Sequence, residues 1–285
     1  MNTPKISLII SFYNKIQWLE KVLDTVATQT FRDFEVVIAD DGSSQEVVER
    51  IHSLQKQYLF PIQHIWHEDQ GWRKNIILNR AVMAANADYL VFIDGDCLLE
   101  AHFLEDHYAA RKNREVVTGR RVLLTEKTTA WLLRQKQPIS RCTFRLFWRL
   151  FFETAFCHQK TQMEQMIRLP QWIRRLFIRE RKRYILGSNF SLYKADLLAI
   201  NGFDERFAYP GYGEDIDIEF RLSRMGIPAV SRKCQLIQYH CYHQHFNTDY
   251  APNKQLLQDN TDRNITYTPY GILSGIANDT CCDNQ

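Results

Sequence analysis

The chain has 285 residues, 45% of them apolar and 24% charged, with a net charge of +3. That length suffices for one large α/β domain or two small ones with a real core, and the composition is that of an ordinary globular protein, which excludes chain-wide disorder. No apolar run approaches the roughly 18–20 residues needed to span a bilayer. The opening MNTPKISLII has no small-residue cleavage site and runs on into a patterned domain, so it reads as a first strand and not as an export signal.

In chain order, Lys5–Ser11 is a short apolar run of the kind found in a buried parallel strand. Apolar residues at 16, 18, 19, 22, 23 and 26 predict a helix over Ile16–Ala27. FEVVIA (34–39) is a second strand, Ser44 is placed to cap a helix running to about Tyr58, and Pro61–Trp66 is a third strand. Lys74–Asn86 reads as a helix and YLVFI (89–93) as a fourth strand. This alternation predicts an α/β fold with a mostly parallel sheet covered by helices. In such sheets ligands bind beyond the carboxyl ends of the strands, where Ser11–Asn14, Asp40–Ser43 and Asp94–Asp96 follow the first, second and fourth strands.

The middle of the chain, about 128–183, is different. Between residues 134 and 183 there are 13 Lys and Arg against three acids, whereas the whole chain has 36 against 33. The segment is also aromatic, with Arg141, Arg145 and Arg149 spaced to share one helical face. It reads either as helices packed on the core with solvated arginines, or as a surface that rests on an anionic membrane. No nucleic-acid motif accompanies it, so no nucleic-acid partner is expected. Residues 185–245 return to a folded pattern, and 246–285 read as an irregular polar tail. The seven cysteines are odd in number and include no C-x-x-C pair, which fits reduced thiols in a cytoplasmic protein.

Four constellations carry chemistry. Asp94-Gly95-Asp96 sets two carboxylates at a strand end, suited to a hard divalent cation that also takes phosphate oxygens, and the glycine is expected to permit a sharp turn; the alternative is an exposed turn. Asp40-Asp41-Gly42-Ser43 offers two acids to a base or ribose, or else a helix-capping turn. Gly211-Tyr212-Gly213-Glu214-Asp215-Ile216-Asp217 puts three acids at a helix start, where one carboxylate could deprotonate an alcohol. Among His240, His243 and His245, spacing alone does not choose a metal ligand.

The order of SFYN (11–14), ADDGS (39–43), DQGWRKNIILNRA (69–81), FIDGD (92–96), GSNFSLYKADLLAINGFDERF (187–207) and GYGEDIDIEFRL (211–222) resembles the family 2 glycosyltransferases of GT-A fold. The likeness is to the galactosyl/N-acetylgalactosaminyltransferase-like and chondroitin-polymerase-like branch. It implies a Rossmann-like, mostly parallel sheet flanked by helices over residues 1–245. That domain would have a nucleotide-sugar-binding half (1–98) and an acceptor half (99–245) interrupted by the helical basic and aromatic insert. By the same resemblance, Asp40 and Asp41 hold base and ribose, and Arg73 lies near the donor diphosphate. Asp94 and Asp96 form the D-x-D pair, Asp94 also serving ribose, and His240, with His243 second, completes a Mn²⁺ or Mg²⁺ site. Glu214 and Asp215 meet the acceptor, with Asp215 as base. The family commonly has tryptophan near this acidic loop, whereas Tyr212 stands here.

The implied activity is metal-dependent, inverting hexosyl transfer from a nucleotide-sugar, UDP-linked by expectation, to a hydroxyl of a glycan or lipid-linked acceptor. The implied setting is bacterial surface polysaccharide or lipopolysaccharide biosynthesis, in the cytoplasm or peripheral on the cytoplasmic face of the inner membrane. A sugar nucleotidyltransferase is the rival enzyme, but SFYNK has no glycine-rich triphosphate loop. A non-catalytic transferase-like subunit is the other rival, against which the retained acids argue.

Overall fold

Strands β1 (Ile6–Phe12), β2 (Phe34–Asp40), β3 (Ile62–Trp66) and β4 (Tyr89–Asp94) alternate with helices α1 (Ile16–Ala27), α2 (Gln45–Gln55) and α3 (Lys74–Ala84). The description is of a computed structural model and covers residues 3–135, 137, 139–178, 181–182, 184–244 and 249–273. Then follow β5 (Cys97–Leu99), α4 (Phe103–Ala110), β6 (Val116–Thr118) and β7 (Arg120–Leu123). The insert holds α5 (Glu126–Leu133), α6 (Ile139–Cys157), α7 (Gln171–Phe177) and the two-residue strand β8 (Arg181–Lys182). The chain continues with β9 (Asn189–Tyr193), α8 (Lys194–Leu198), α9 (Glu214–Arg224), β10 (Ala229–Ser231), β11 (Ile237–His240) and α10 (Ala251–Asp262).

The main sheet has eight strands in the order β3-β2-β1-β4-β9-β6-β10-β8. β1 to β4 are parallel neighbours, and β9 turns antiparallel to both β4 and β6. Both faces are covered, which is why these strands read as continuous apolar runs rather than alternating ones. Leu8, Ile10, Val36, Ile38, Val91 and Ile93 point to one face, where α1 contributes Leu19, Val22, Leu23 and Val26. Ile9, Val37, Leu90 and Phe92 point to the other, against Ile77, Leu78, Ala81 and Val82 of α3 and Ile218 and Leu222 of α9. The mostly parallel α/β architecture expected from the sequence is therefore present, with α1 at the bounds its periodicity gave.

Three expectations need correction. Ser44 occupies the cap position of α2, but its side chain makes no capping hydrogen bond there; its N–H instead donates to Asn14 Oδ1 at 2.9 Å. Residues after 245 are not simply irregular, because α10 is helical. That helix lacks an apolar stripe and is fastened by polar contacts, with buried Asn253 donating to the carbonyls of Tyr209 and Tyr212, both at 2.8 Å. Arg149 is not a solvated partner of Arg141 and Arg145: it lies over the Trp131 ring and donates to Thr128 Oγ1 at 2.8 Å. The five described cysteines are free thiols. Cys281 and Cys282, and His245, fall outside the described residues.

Candidate active site

Register builds the site. Phe12 pairs with Asp40, Ser11 with Asp94 and Asp40 with Trp66, so the carboxyl ends of four parallel strands finish level. Gly95 donates its N–H to Ser11 O at 2.7 Å. A Cβ on Gly95 would stand 3.1 Å from both that oxygen and the Phe12 ring. The glycine thus serves close approach, where a side chain would press on its neighbours, and not an unusual turn, since its backbone is not left-handed. Directly beyond it, a small second sheet of order β5-β11-β7 pairs Cys97 with His240. Cys241 N–H donates to Asp96 O at 3.0 Å. That pairing brings His240 Nε2 to 3.7 Å and His243 Nε2 to 3.5 Å from the Asp96 carboxylate.

Asp94 lines the same cleft as Asp96 and has a cation of its own. Its Oδ1 accepts from Lys74 Nζ at 3.0 Å, at the first residue of α3. Lys74 faces Glu214 and Asp215 as well; burial alone would lower its pKa, but the three carboxylates more than offset that and raise it. Burial would raise the Asp94 pKa, but Lys74, together with His240 and Arg121, holds it below the usual carboxylate range.

Glu214 and Asp215 reach the site from the opposite half. β9 runs antiparallel to β4, pairing Asn189 with Ile93, so the chain just before β9 lies beside the Asp94 end. There Gly187 N–H donates to Asp215 Oδ2 at 3.4 Å. Gly213, at φ +110°, starts α9, and a Cβ there would stand 2.8 Å from the Phe207 ring, so no other residue fits without strain. Burial raises the pKa of both Asp215 and Glu214. Glu214 Oε2 is buried without a hydrogen-bond partner among the described residues. Lys74, Asp94, Glu214 and Asp215 line one small cavity with Gly187 and Ile185.

Next to it opens a cleft of about 440 Å³ lined by Tyr13, Trp18, Asp41, Trp72, Lys74 and Asp96, among others. Asp41 faces it while held by His67 Nε2 at 2.8 Å and Arg73 N–H at 3.0 Å. Asp40 is fully buried behind, its oxygens taken by Ser43 N–H and Oγ at 2.9 and 2.5 Å and by His64 at 2.9 Å. The Arg73 guanidinium turns back onto Glu68 O and Gln70 Oε1 and does not line the cleft. The cations that do line it are Lys15 and Lys74, the residue next to Arg73, and sequence reasoning passed over both. Tyr13, Trp18 and Trp72 were also missed, although Tyr13 and Trp72 lie inside motifs the sequence singled out.

The residues fit a divalent cation. Ligand atoms of Asp96, Cys97 and His240 lie within 4.8 Å of one another. The carboxylate and imidazole donors of Asp96, His240 and His243 suit a first-row divalent ion.

Residues 7–163 match the family described as glycosyl transferase family 2. The chain belongs to that family. It is 29% identical over 244 residues to a validoxylamine A glucosyltransferase of Streptomyces hygroscopicus subsp. jinggangensis, covering 81% of this chain and 54% of that protein. It is 25% identical over 234 residues to a chondroitin synthase of Escherichia coli, covering 78% and 32%. The chain thus spans about half or less of these relatives. Among solved structures, a mannosyltransferase from Pyrobaculum calidifontis in complex with GDP-Man and Mn²⁺ superposes with a TM-score of 0.51 at 17% identity, over 86% of this chain and 59% of that one. This family 2 chain has the GT-A fold.

Proposed function

We propose that this family 2 chain is an inverting glycosyltransferase that moves a sugar from a nucleotide-sugar, UDP-linked in our reading, to a hydroxyl of a glycan or lipid-linked acceptor. One observation carries it: acids from distant parts of the chain, Asp41, Asp94, Asp96, Glu214 and Asp215, ring adjoining cavities at one sheet edge. A binding subunit has no need of a buried, unpaired Glu214 oxygen beside a lysine-balanced Asp94.

In this reading the nucleoside lies in the larger cleft, where Asp41 offers an acceptor to base or ribose and Trp72 or Tyr13 offers a ring face. Asp40 supports Asp41 from behind through the Ser43 turn. Asp96, His240 and His243 would hold Mn²⁺ or Mg²⁺, with Asp94 close behind. The ion would supply charge stabilisation for the departing nucleotide diphosphate. Asp215 takes the proton from the acceptor hydroxyl as that oxygen attacks the anomeric carbon from the face opposite the nucleotide, which inverts its configuration. Glu214 accepts a sugar hydroxyl through its unpaired oxygen, and Lys74 offsets part of the rise in carboxylate pKa that burial causes. The validoxylamine and chondroitin relatives and the Mn²⁺ complex support the donor and ion classes. Surface polysaccharide or lipopolysaccharide assembly is the setting we assign. Exposed aromatics and arginines of α6 support a peripheral seat on the cytoplasmic membrane face; among the described residues no helix is long and apolar enough to cross a membrane.

Asp96→Ala is expected to abolish the Mn²⁺-dependent part of nucleotide binding while leaving the metal-free part. Calorimetry with UDP in the presence and absence of Mn²⁺ measures this, and equal binding by wild type and variant would exclude the assignment. Lys74→Met removes the charge that lowers the Asp215 and Glu214 pKa values. The acid limb of the pH–rate profile for donor hydrolysis should therefore move to higher pH. An unmoved limb would separate Lys74 from the proton transfer.

A further inference from the structure

A second and larger cavity, about 700 Å³, lies on the other side of the histidines, and the mechanism above does not use it. His240 and His243 line it, together with Arg121, Lys127 and Lys160. Among the described residues none of these three cations has a hydrogen-bonding or ion-pairing partner for its side chain. Of the two acids there, Glu153 is already engaged by Thr125 and Thr128 hydroxyls at 2.8 Å and by Arg149 at 3.4 Å. Glu126 is exposed. The cavity therefore offers an anion Lys127 and Lys160, which no described acid contacts, and Arg121, whose charge also acts on Asp94 and His240, and its volume suits a headgroup-sized ligand.

What leads to it is α6. Ile139, Cys142, Leu146 and Leu150 bury one face of that helix. Phe144, Trp148, Phe152 and Phe156 repeat every four residues along an exposed stripe, with ring centroids 6.3, 6.3 and 5.6 Å apart. Phe144 and Phe156 remain 75% and 70% exposed, far more than packing on this chain requires. Arg141 and Arg145 are exposed on the same helix. Aromatic rings beside basic side chains are the composition of a bilayer interface facing anionic lipid. The stripe ends at Phe156, and the next residue, Cys157, lines the cavity. The apolar path thus runs from the outer surface to the cationic cavity.

We infer that this cavity takes the phosphate-bearing headgroup of a lipid acceptor whose chain stays in the bilayer under α6. The inference rests on the transferase reading for its acceptor role. Its test is made without nucleotide or metal, so a failed transfer assay and a failed binding assay are separate results. Full-length protein is floated with phosphatidylcholine vesicles carrying either phosphatidic acid or phosphatidylserine at matched surface charge. Wild type should bind the phosphomonoester vesicles more tightly. Arg121→Gln with Lys160→Gln should erase that preference yet still float, losing roughly five-fold affinity per cation, the factor equivalent to about 1 kcal/mol. Phe152→Ser with Phe156→Ser, both at exposed positions, should lower binding to both vesicles. No preference in wild type, a preference retained in the Arg121/Lys160 variant, or unaltered flotation of the aromatic variant would each overturn the assignment. So would binding of inorganic phosphate to Arg121 and Lys160 with no gain from vesicles.

Discussion

Asp215→Asn should lower kcat for sugar transfer by about 10²–10⁴, the usual contribution of a placed general base. The substitution is isosteric, and the Asn carbonyl can still accept from Gly187 N–H, which Asp215 binds at 3.4 Å. What disappears is the ability to take a proton. The donor cleft is lined by Asp41, Trp72 and Asp96 and not by Asp215, so nucleotide affinity by calorimetry should change little. A parallel loss of kcat and nucleotide affinity would mean that Asp215 organises the site instead of accepting the proton. The pH dependence gives a second readout. Burial raises the Asp215 pKa, with Lys74 and backbone N–H donors partly offsetting it. A base must be deprotonated to act, so kcat should fall as pH drops through a value above the ordinary aspartate figure of about 3.9. That acid limb should be missing from the residual activity of Asp215→Asn.

Half of this site could be read from the sequence, and the reason is periodicity. β1, β2 and β4 are buried on both faces, so they stand out as apolar runs, and in parallel sheets the polar residues that follow such runs are brought level. Asp41, Asp94 and Asp96 could be nominated on that basis alone. Choosing the cation could not be done this way. Arg73 and Lys74 are adjacent, yet α3 begins at Lys74, and one step along a helix turns a side chain by about 100°. Which of the two meets Asp94 depends on where the helix starts. The resemblance pointed to His240 beside Asp96, but spacing alone did not choose it, because β5, β7 and β11 have only three or four residues each and no alternation to detect. Their pairing alone decides that His240 meets Asp96. α10 escaped notice because Asn253 and Asn260, not an apolar stripe, secure it.

The same polar logic makes Arg221 the residue whose loss should destabilise the chain most. Its guanidinium is fully buried in α9, bound to Asp217 at 2.7 Å and to the carbonyls of Ile200 and Gly202 at 2.8 and 2.9 Å. Asp217 accepts in turn from Asn260 of α10 at 2.9 Å, and Asn260 accepts from Arg206, which grips Asp204. This network joins α9, whose first turn carries Glu214 and Asp215, to α10 and the 200–206 loop. Arg221→Met fills the volume but leaves the buried Asp217 carboxylate without its cation and the Ile200 and Gly202 carbonyls without the arginine's N–H donors, a loss of about 3–5 kcal/mol. Urea denaturation should show it as a lower midpoint at unchanged slope, and a variant within about 1 kcal/mol of wild type would remove Arg221 from this role. The sign with pH is fixed as well. Burial already raises the Asp217 pKa despite the arginine, and without Arg221 it must rise further. A carboxyl whose folded pKa exceeds its unfolded one destabilises the fold only where it is ionised in the unfolded chain. The unfolded value is common to both proteins, so the gap between variant and wild type should be widest near neutrality and close as pH falls through the raised folded-state pKa values of the variant and then the wild type. Arg221→Met combined with Asp217→Leu should be less destabilised than Arg221→Met alone, because no buried charge is then left without its partner.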